Sequence, residues 1–98
     1  MDDAVKAYHT ALAINLKDAV VHYNLGVLFG GIQRLEDAVR EFQIALMLNP
    51  LDASAHNSLG VMYARQGRLN EAITEFKKAL EIDPEHTNAR KNLTQIHP

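Results

Sequence analysis

The chain has 98 residues, 47% of them apolar and 22% charged, with a net charge of −2 and no cysteine. That length holds one domain, and the apolar content is that of a folded chain, not a disordered one. No basic footprint for nucleic acid is present, no disulfide framework or thiolate metal site can form, and no apolar run approaches a membrane span or a signal peptide.

In chain order, the first helical pattern runs over Asp2–Ile14, with Val5, Tyr8 and Leu12 on one stripe. It starts at once after Met1, as a piece cut from a longer protein would, and a targeting segment would be lost with the rest. A cysteine-free chain of this kind is expected in a reducing, cytoplasmic setting. A second helical stretch follows from Ala19 and contains Leu25-Gly26 and Phe29, with Gly30-Gly31 near its end. A third carries Ala38, Phe42 and Ala45-Leu46 and is stopped at Pro50, whose ring and missing amide hydrogen cannot continue a helix.

The next stretch places Ala55, Leu59, Met62 and Tyr63 on one helical face, and Gln66-Gly67-Arg68 breaks it. Leu69, Ala72, Ile73, Phe76, Ala79, Leu80 and Ile82 then mark another helix, ended by Asp83-Pro84. The last, from Thr87, has a narrow stripe of Ala89, Leu93 and Ile96 beside Asn88, Arg90, Lys91, Asn92 and Gln95, as a capping helix should. Nothing alternates with period two, so strands are not expected.

These stretches repeat at an offset of 34 residues. Ala19–Asp52 and Ala53–His86 are identical at 13 of 34 positions, where composition alone gives roughly two. The pattern divides the chain into a half-unit (2–18, a second helix), two full units (19–52 and 53–86) and a final first helix (87–98). One departure stands out: Leu16 occupies the slot that Pro50 and Pro84 hold later, so the first turn between units is weakly enforced.

The unit resembles the tetratricopeptide repeat. The carrying residues are Leu25-Gly26, Phe29, Ala38, Phe42, Ala45-Leu46 and Pro50, then Leu59-Gly60, Tyr63, Ala72, Phe76, Ala79-Leu80 and Pro84, with Ala4, Tyr8 and Ala11-Leu12 in the half-unit. The resemblance implies an all-α solenoid of antiparallel helix pairs, a right-handed superhelical array of five to six helices, and a non-catalytic module that binds other proteins.

The glycines admit a phosphate-cradle reading, but such a loop needs Lys-Ser or Lys-Thr after the glycines and a strand before them. Here Ile32-Gln33-Arg34 follow and a helix precedes, so no nucleotide is expected. Gly26 and Gly60 are instead expected to let the paired backbones of a unit approach, with Phe42 and Phe76 filling space between units. Thr94, in the same slot of the last helix, has no following partner and needs no glycine. Gly67 suits a turn requiring positive φ. The first unit has Gln33 there and two glycines earlier, each costing about 0.5–1 kcal/mol inside a helix, which makes its hairpin the weaker joint.

In the resembling family, partner peptides usually lie in a groove lined by first helices. The corresponding candidates are Tyr23, Asn24, Val27 and Gly30, then Asn57, Ser58, Val61 and Arg65, then Asn88, Lys91 and Asn92. Asparagine amides can pair with a peptide backbone without demanding a sequence. The slot of Asn24 and Asn92 resembles the asparagine row of O-linked N-acetylglucosamine transferases, although Ser58 breaks it. A subset of the family clamps chaperone C-terminal carboxylates with Lys and Asn, Asn, then Lys and Arg on successive first helices. The equivalent slots are Tyr23 and Val27, Ser58, and Asn88 and Asn92, so no such clamp is expected.

His22 and His56 share a slot one unit apart, two helix spacings of about 8–10 Å each, too far for one metal ion with bonds of about 2 Å. No metal or other cofactor is therefore expected, and no Ser–His–acid set stands out. The letters Asn92-Leu93-Thr94 form a glycosylation sequon, discounted because they lie on a predicted helix. The rival to peptide binding is self-association: the stripe Val5, Tyr8 and Leu12 lacks the first helix of its own unit, and an uncovered face or an opened hairpin would drive a homodimer.

Overall fold

The computed structural model describes the backbone of residues 2–96 and the side chains of residues 16–96. Its elements are α1 (Asp2–Gly31), α2 (Leu35–Leu48), α3 (Ala53–Arg65), α4 (Leu69–Ile82) and α5 (Thr87–Ile96), with no strand among the described residues. The helices α1 and α2 pack as one hairpin and α3 and α4 as a second; α2 lies against α3, and α4 against α5. This order is the all-α solenoid that the repeat predicts.

Each hairpin turns in the same way. Arg34 N–H reaches back to Phe29 O (2.9 Å) and Arg68 N–H to Tyr63 O (2.8 Å), the six-to-one bond that closes a helix C-terminus through a left-handed residue. That residue is Gly67, at φ 79°, in the second hairpin and Gln33, at φ 66°, in the first. The arginine that follows folds over the aromatic it has just passed, Arg34 over Phe29 and Arg68 over Tyr63, with 5.2 and 4.5 Å from guanidinium carbon to ring centre. The joins between units are capped from the other side. Asp52 accepts the Ala55 N–H at 3.1 Å and His86 Nδ1 accepts that of Ala89 at 3.1 Å, each satisfying an amide that a helix start leaves free.

Small residues pack around Phe42 and Phe76, with Val39, Leu59, Met62 and Tyr63, to form the core. Ala38, Ala45, Ala55, Ala72, Ala79 and Ala89 are buried, and Phe42 and Phe76 are the largest side chains enclosed completely. A Cβ built on Gly26 would lie 2.7 Å from Phe42 Cε1, and one on Gly60 2.6 Å from Phe76 Cε1. The glycines therefore make room for the ring of their own unit's second helix. This corrects the expectation that the glycines bring two backbones directly together; the rings also fill space between units as expected, Phe42 sharing one core cluster with Leu59 and Met62 of α3. Thr94, in the third copy of the slot, is exposed and donates to Arg90 O at 2.8 Å.

The start of the array departs from the expected break near residue 18. The half-unit and the first helix of the first full unit are one helix, α1, of 30 residues. The cause is local. Asn15-Leu16-Lys17-Asp18 keeps the asparagine and aspartate of Asn49-Pro50-Leu51-Asp52 but not the proline, and without a missing amide hydrogen or a ring clash the helical bonds carry on. At 1.5 Å per residue such a helix is about 45 Å long, close to the 46 Å long axis of the molecule.

Candidate functional site

The first helices α1, α3 and α5 stand side by side, and polar contacts link them at a spacing of 35 residues. Tyr23 Oη lies 3.4 Å from Ser58 Oγ, Asn92 Nδ2 donates to Asn57 Oδ1 at 3.0 Å, and Arg65 Nη1 donates to Gly30 O at 3.2 Å. Between α1 and α3 is an open recess of about 330 Å³ lined by Val27, Gly30, Ser58, Val61, Met62 and Arg65, with Gly31, Gln33 and the Phe42 ring completing it. Its floor is apolar and its rim carries a hydroxyl and a guanidinium.

Of the residues expected on this face, five line the recess: Val27, Gly30, Ser58, Val61 and Arg65. Tyr23, Asn57 and Asn92 are half-buried in the contacts just described, while Asn24, Asn88 and Lys91 are exposed. Gly30 is a buried backbone position: a Cβ there would meet Met62 Sδ at 3.1 Å, so what it offers is its carbonyl, already held by Arg65. The self-association stripe Val5, Tyr8 and Leu12 lies outside the residues whose side chains are described.

Sequence reasoning missed a second polar system, on the joint between the helices of each unit. His22 Nδ1 lies 2.6 Å from Glu41 Oε2, and one unit later His56 Nδ1 lies 2.8 Å from Glu75 Oε1. The signal was present, because both the histidine and the glutamate recur at 34 residues. Glu75 is only 8% exposed. Burial alone would raise its carboxyl, but the hydrogen bond from His56 and the charges of Lys78 and His56 outweigh that and hold it below the ordinary carboxylate value. The other ring nitrogen of His56 faces Pro50 O at 3.2 Å, so the imidazolium form donates to both acceptors.

One hydroxyl–imidazole pair looks like chemistry and is not. Ser54 Oγ lies 3.4 Å from His86 Nε2, but His86 Nδ1 accepts the Ala89 N–H. The proton of a neutral ring therefore sits on Nε2 and points at the serine, leaving no lone pair there to activate it. Among the described residues no group of three or more His, Cys, Asp or Glu is placed to hold a metal, and no helix is long and apolar enough to cross a membrane.

A family model described as tetratricopeptide repeat matches residues 23–87. Domains of this family are protein-interaction modules, and the fold is generally non-catalytic. No curated protein matches the sequence. Among solved structures the chain is similar to MamA, at 28% identity and a TM-score of 0.79, covering 81% of this chain and 46% of that one. It is also similar to the second such domain of human RPAP3, solved with the HSP70 peptide SGPTIEEVD, at 26% identity and a TM-score of 0.78, over 82% of this chain and 67% of that one. The Arabidopsis OM64 domain shares the fold at 18% identity and a TM-score of 0.81, over 84% of this chain and 68% of that one. The chain thus spans less than half the length of MamA. With a family match over most of its length and a hairpin geometry repeated unit by unit, the chain belongs to the tetratricopeptide repeat family.

Proposed function

We propose that the protein is a non-catalytic adaptor whose first-helix face takes an extended segment of a partner protein, without a carboxylate clamp. The observation that carries this reading is the recess between α1 and α3, where Val27, Val61 and Met62 offer apolar contact beside Ser58 and Arg65. On the same set of first helices, the exposed amides of Asn24 on α1 and Asn88 on α5 can bond a peptide backbone. The RPAP3 domain, solved with a peptide, supports a protein ligand. That peptide ends in an acidic sequence, and the five slots a clamp would use hold Tyr23, Val27, Ser58, Asn88 and Asn92, none of them cationic. The geometry at Ser54 and His86 supports binding without catalysis.

The test is to select linear peptides from a display library on the intact chain and titrate the best of them calorimetrically, beside SGPTIEEVD. Selected peptides should bind with micromolar affinity, about −8 kcal/mol, and Val27→Glu should weaken them at least about tenfold, or 1.4 kcal/mol. Val27 is exposed, so the substitution leaves the stack intact. Micromolar binding of SGPTIEEVD would refute the clamp-free reading. Selected peptides indifferent to Val27→Glu would refute the site.

A further inference from the structure

On α3, Ala55, Leu59 and Met62 are only 0%, 3% and 7% exposed, because α2 lies over them. One unit earlier the same slots on α1 hold Val21, Leu25 and Leu28, and there Val21 and Leu28 are 54% and 57% exposed. This face is built like its twin, with Val21 in the place of the smaller Ala55, but it lies open. Its cover is written in the sequence. Residues 2–14 repeat α2, and Val5, Tyr8 and Leu12 stand in the slots of Val39, Phe42 and Leu46, which form or flank the core that α2 shares with α3. That segment cannot lie over its own α1, because it is the first half of the same continuous helix.

We propose that the open face is a dimerisation surface whose occupant is the 2–14 segment of a second copy, exchanged reciprocally. Two α1 helices lying antiparallel meet midway along Asp2–Gly31, near Leu16, which is itself 44% exposed. Each copy then lays its 2–14 segment over the Val21, Leu25 and Leu28 of the other, in the antiparallel sense that α2 takes on α3. The contact is self-complementary, so it closes at two copies and does not propagate. Residues 15–18 are the hinge: asparagine and aspartate remain from the turn of the later unit, and Leu16 in place of proline lets the chain run straight. None of Val21, Leu25 and Leu28 lines the recess, so this inference goes beyond the adaptor reading, and either can fail without the other.

Light scattering with size-exclusion chromatography on the intact chain tests it, from about 10 μM to about 1 mM, since association follows mass action. The expected mass at the upper end is twice 10.9 kDa, falling toward the single-chain value on dilution. Leu28→Glu changes a side chain already exposed in one copy and should give the single-chain mass throughout, with unchanged helical circular dichroism. Tyr8→Glu should do the same from the other side of the contact. Leu16→Pro restores the turn and lets the segment fold back on its own α1, again giving a monomer. A wild type that stays at 10.9 kDa throughout, or a dimer that survives Leu28→Glu or Leu16→Pro, overturns the proposal.

Discussion

Gly60→Ala sets two known effects against each other at one atom. In a helix interior alanine is favoured over glycine by about 0.8–1.0 kcal/mol, so the exchange would stabilise an unobstructed helix. At this position the new Cβ would lie 2.6, 2.8 and 3.1 Å from Phe76 Cε1, Cδ1 and Cζ. The ring is 1% exposed and packed in one cluster with Leu59, Met62, Tyr63 and Ala72, so it cannot swing aside without displacing them. Overpacking of this kind costs about 1–3 kcal/mol, and a clash with three atoms of a rigid ring belongs in the upper half of that range. The net expectation is a loss of about 1–2 kcal/mol, which in a domain this size lowers the melting temperature by roughly 5–15 °C.

Gly31→Ala is the internal control, because nothing lies within 4 Å of the added carbon and only the propensity term remains, a gain of up to about 1 kcal/mol. Thermal and urea melts followed by circular dichroism measure both. Opposite signs are expected. A Gly60→Ala protein that melts at or above the wild type would refute the role assigned to the glycine, whatever the control does.

Gln33→Gly should stabilise the first hairpin by about 0.5–1 kcal/mol, because a left-handed residue costs about 1–2 kcal/mol with a Cβ and glycine returns part of that in unfolded-state entropy; an unchanged urea midpoint would count against the observed φ of 66°. Phe76→Ala should cost about 3–5 kcal/mol, measured in the same melts, since the ring is fully enclosed beside a glycine that cannot fill the gap. Glu75→Gln should make stability less dependent on acid. The lowered carboxyl in the folded state contributes stability that is complete above the unfolded value of 4.5 and is lost as pH falls through the folded one, so the urea midpoints of wild type and variant should converge as pH falls below 4.5. Hydrogen exchange should find α3 and α4 the best protected helices, because their hairpin has Gly67 at the turn and both neighbours in place.

The helix pairs were legible because their determinants are short-range and doubled. Pro50, Pro84 and the Gln66-Gly67-Arg68 break end helices by backbone chemistry that needs no tertiary context, and two copies of each signal separate pattern from accident. The absence of such a signal at Leu16 was legible too. Its consequence was not, because whether a helix bends at a permissive sequence depends on what each half can pack against. The glycines were found for the right slot and the wrong neighbour. A sequence shows that a Cβ is excluded, but it does not show whether a backbone or a ring excludes it, and only the position of Phe42 and Phe76 decides that.

The face proposed for binding was less legible, and the reason lies in what repeats. Leu25 and Leu59, Gly26 and Gly60, Ala38 and Ala72, Phe42 and Phe76, and Ala45 and Ala79 are identical pairs that pack the helices together. On the first-helix face Val27 and Val61 still match, but the other pairs diverge, with Tyr23 against Asn57, Asn24 against Ser58 and Gly31 against Arg65. Packing constrains the first group at every unit, whereas a solvated face can change one residue at a time at little cost in stability. The contacts that do form there join residues 35 apart, one step off the 34-residue period, so aligning the units slot on slot cannot reveal them. That single-residue offset arises because neighbouring first helices touch along a slant, each residue meeting the next unit's following position. Arg65, bonded to the Gly30 carbonyl, stands at the rim of the recess, whereas none of the asparagines that the sequence brings forward lines it; the pairing of Asn92 with Asn57 is settled by this slant and not by the repeat.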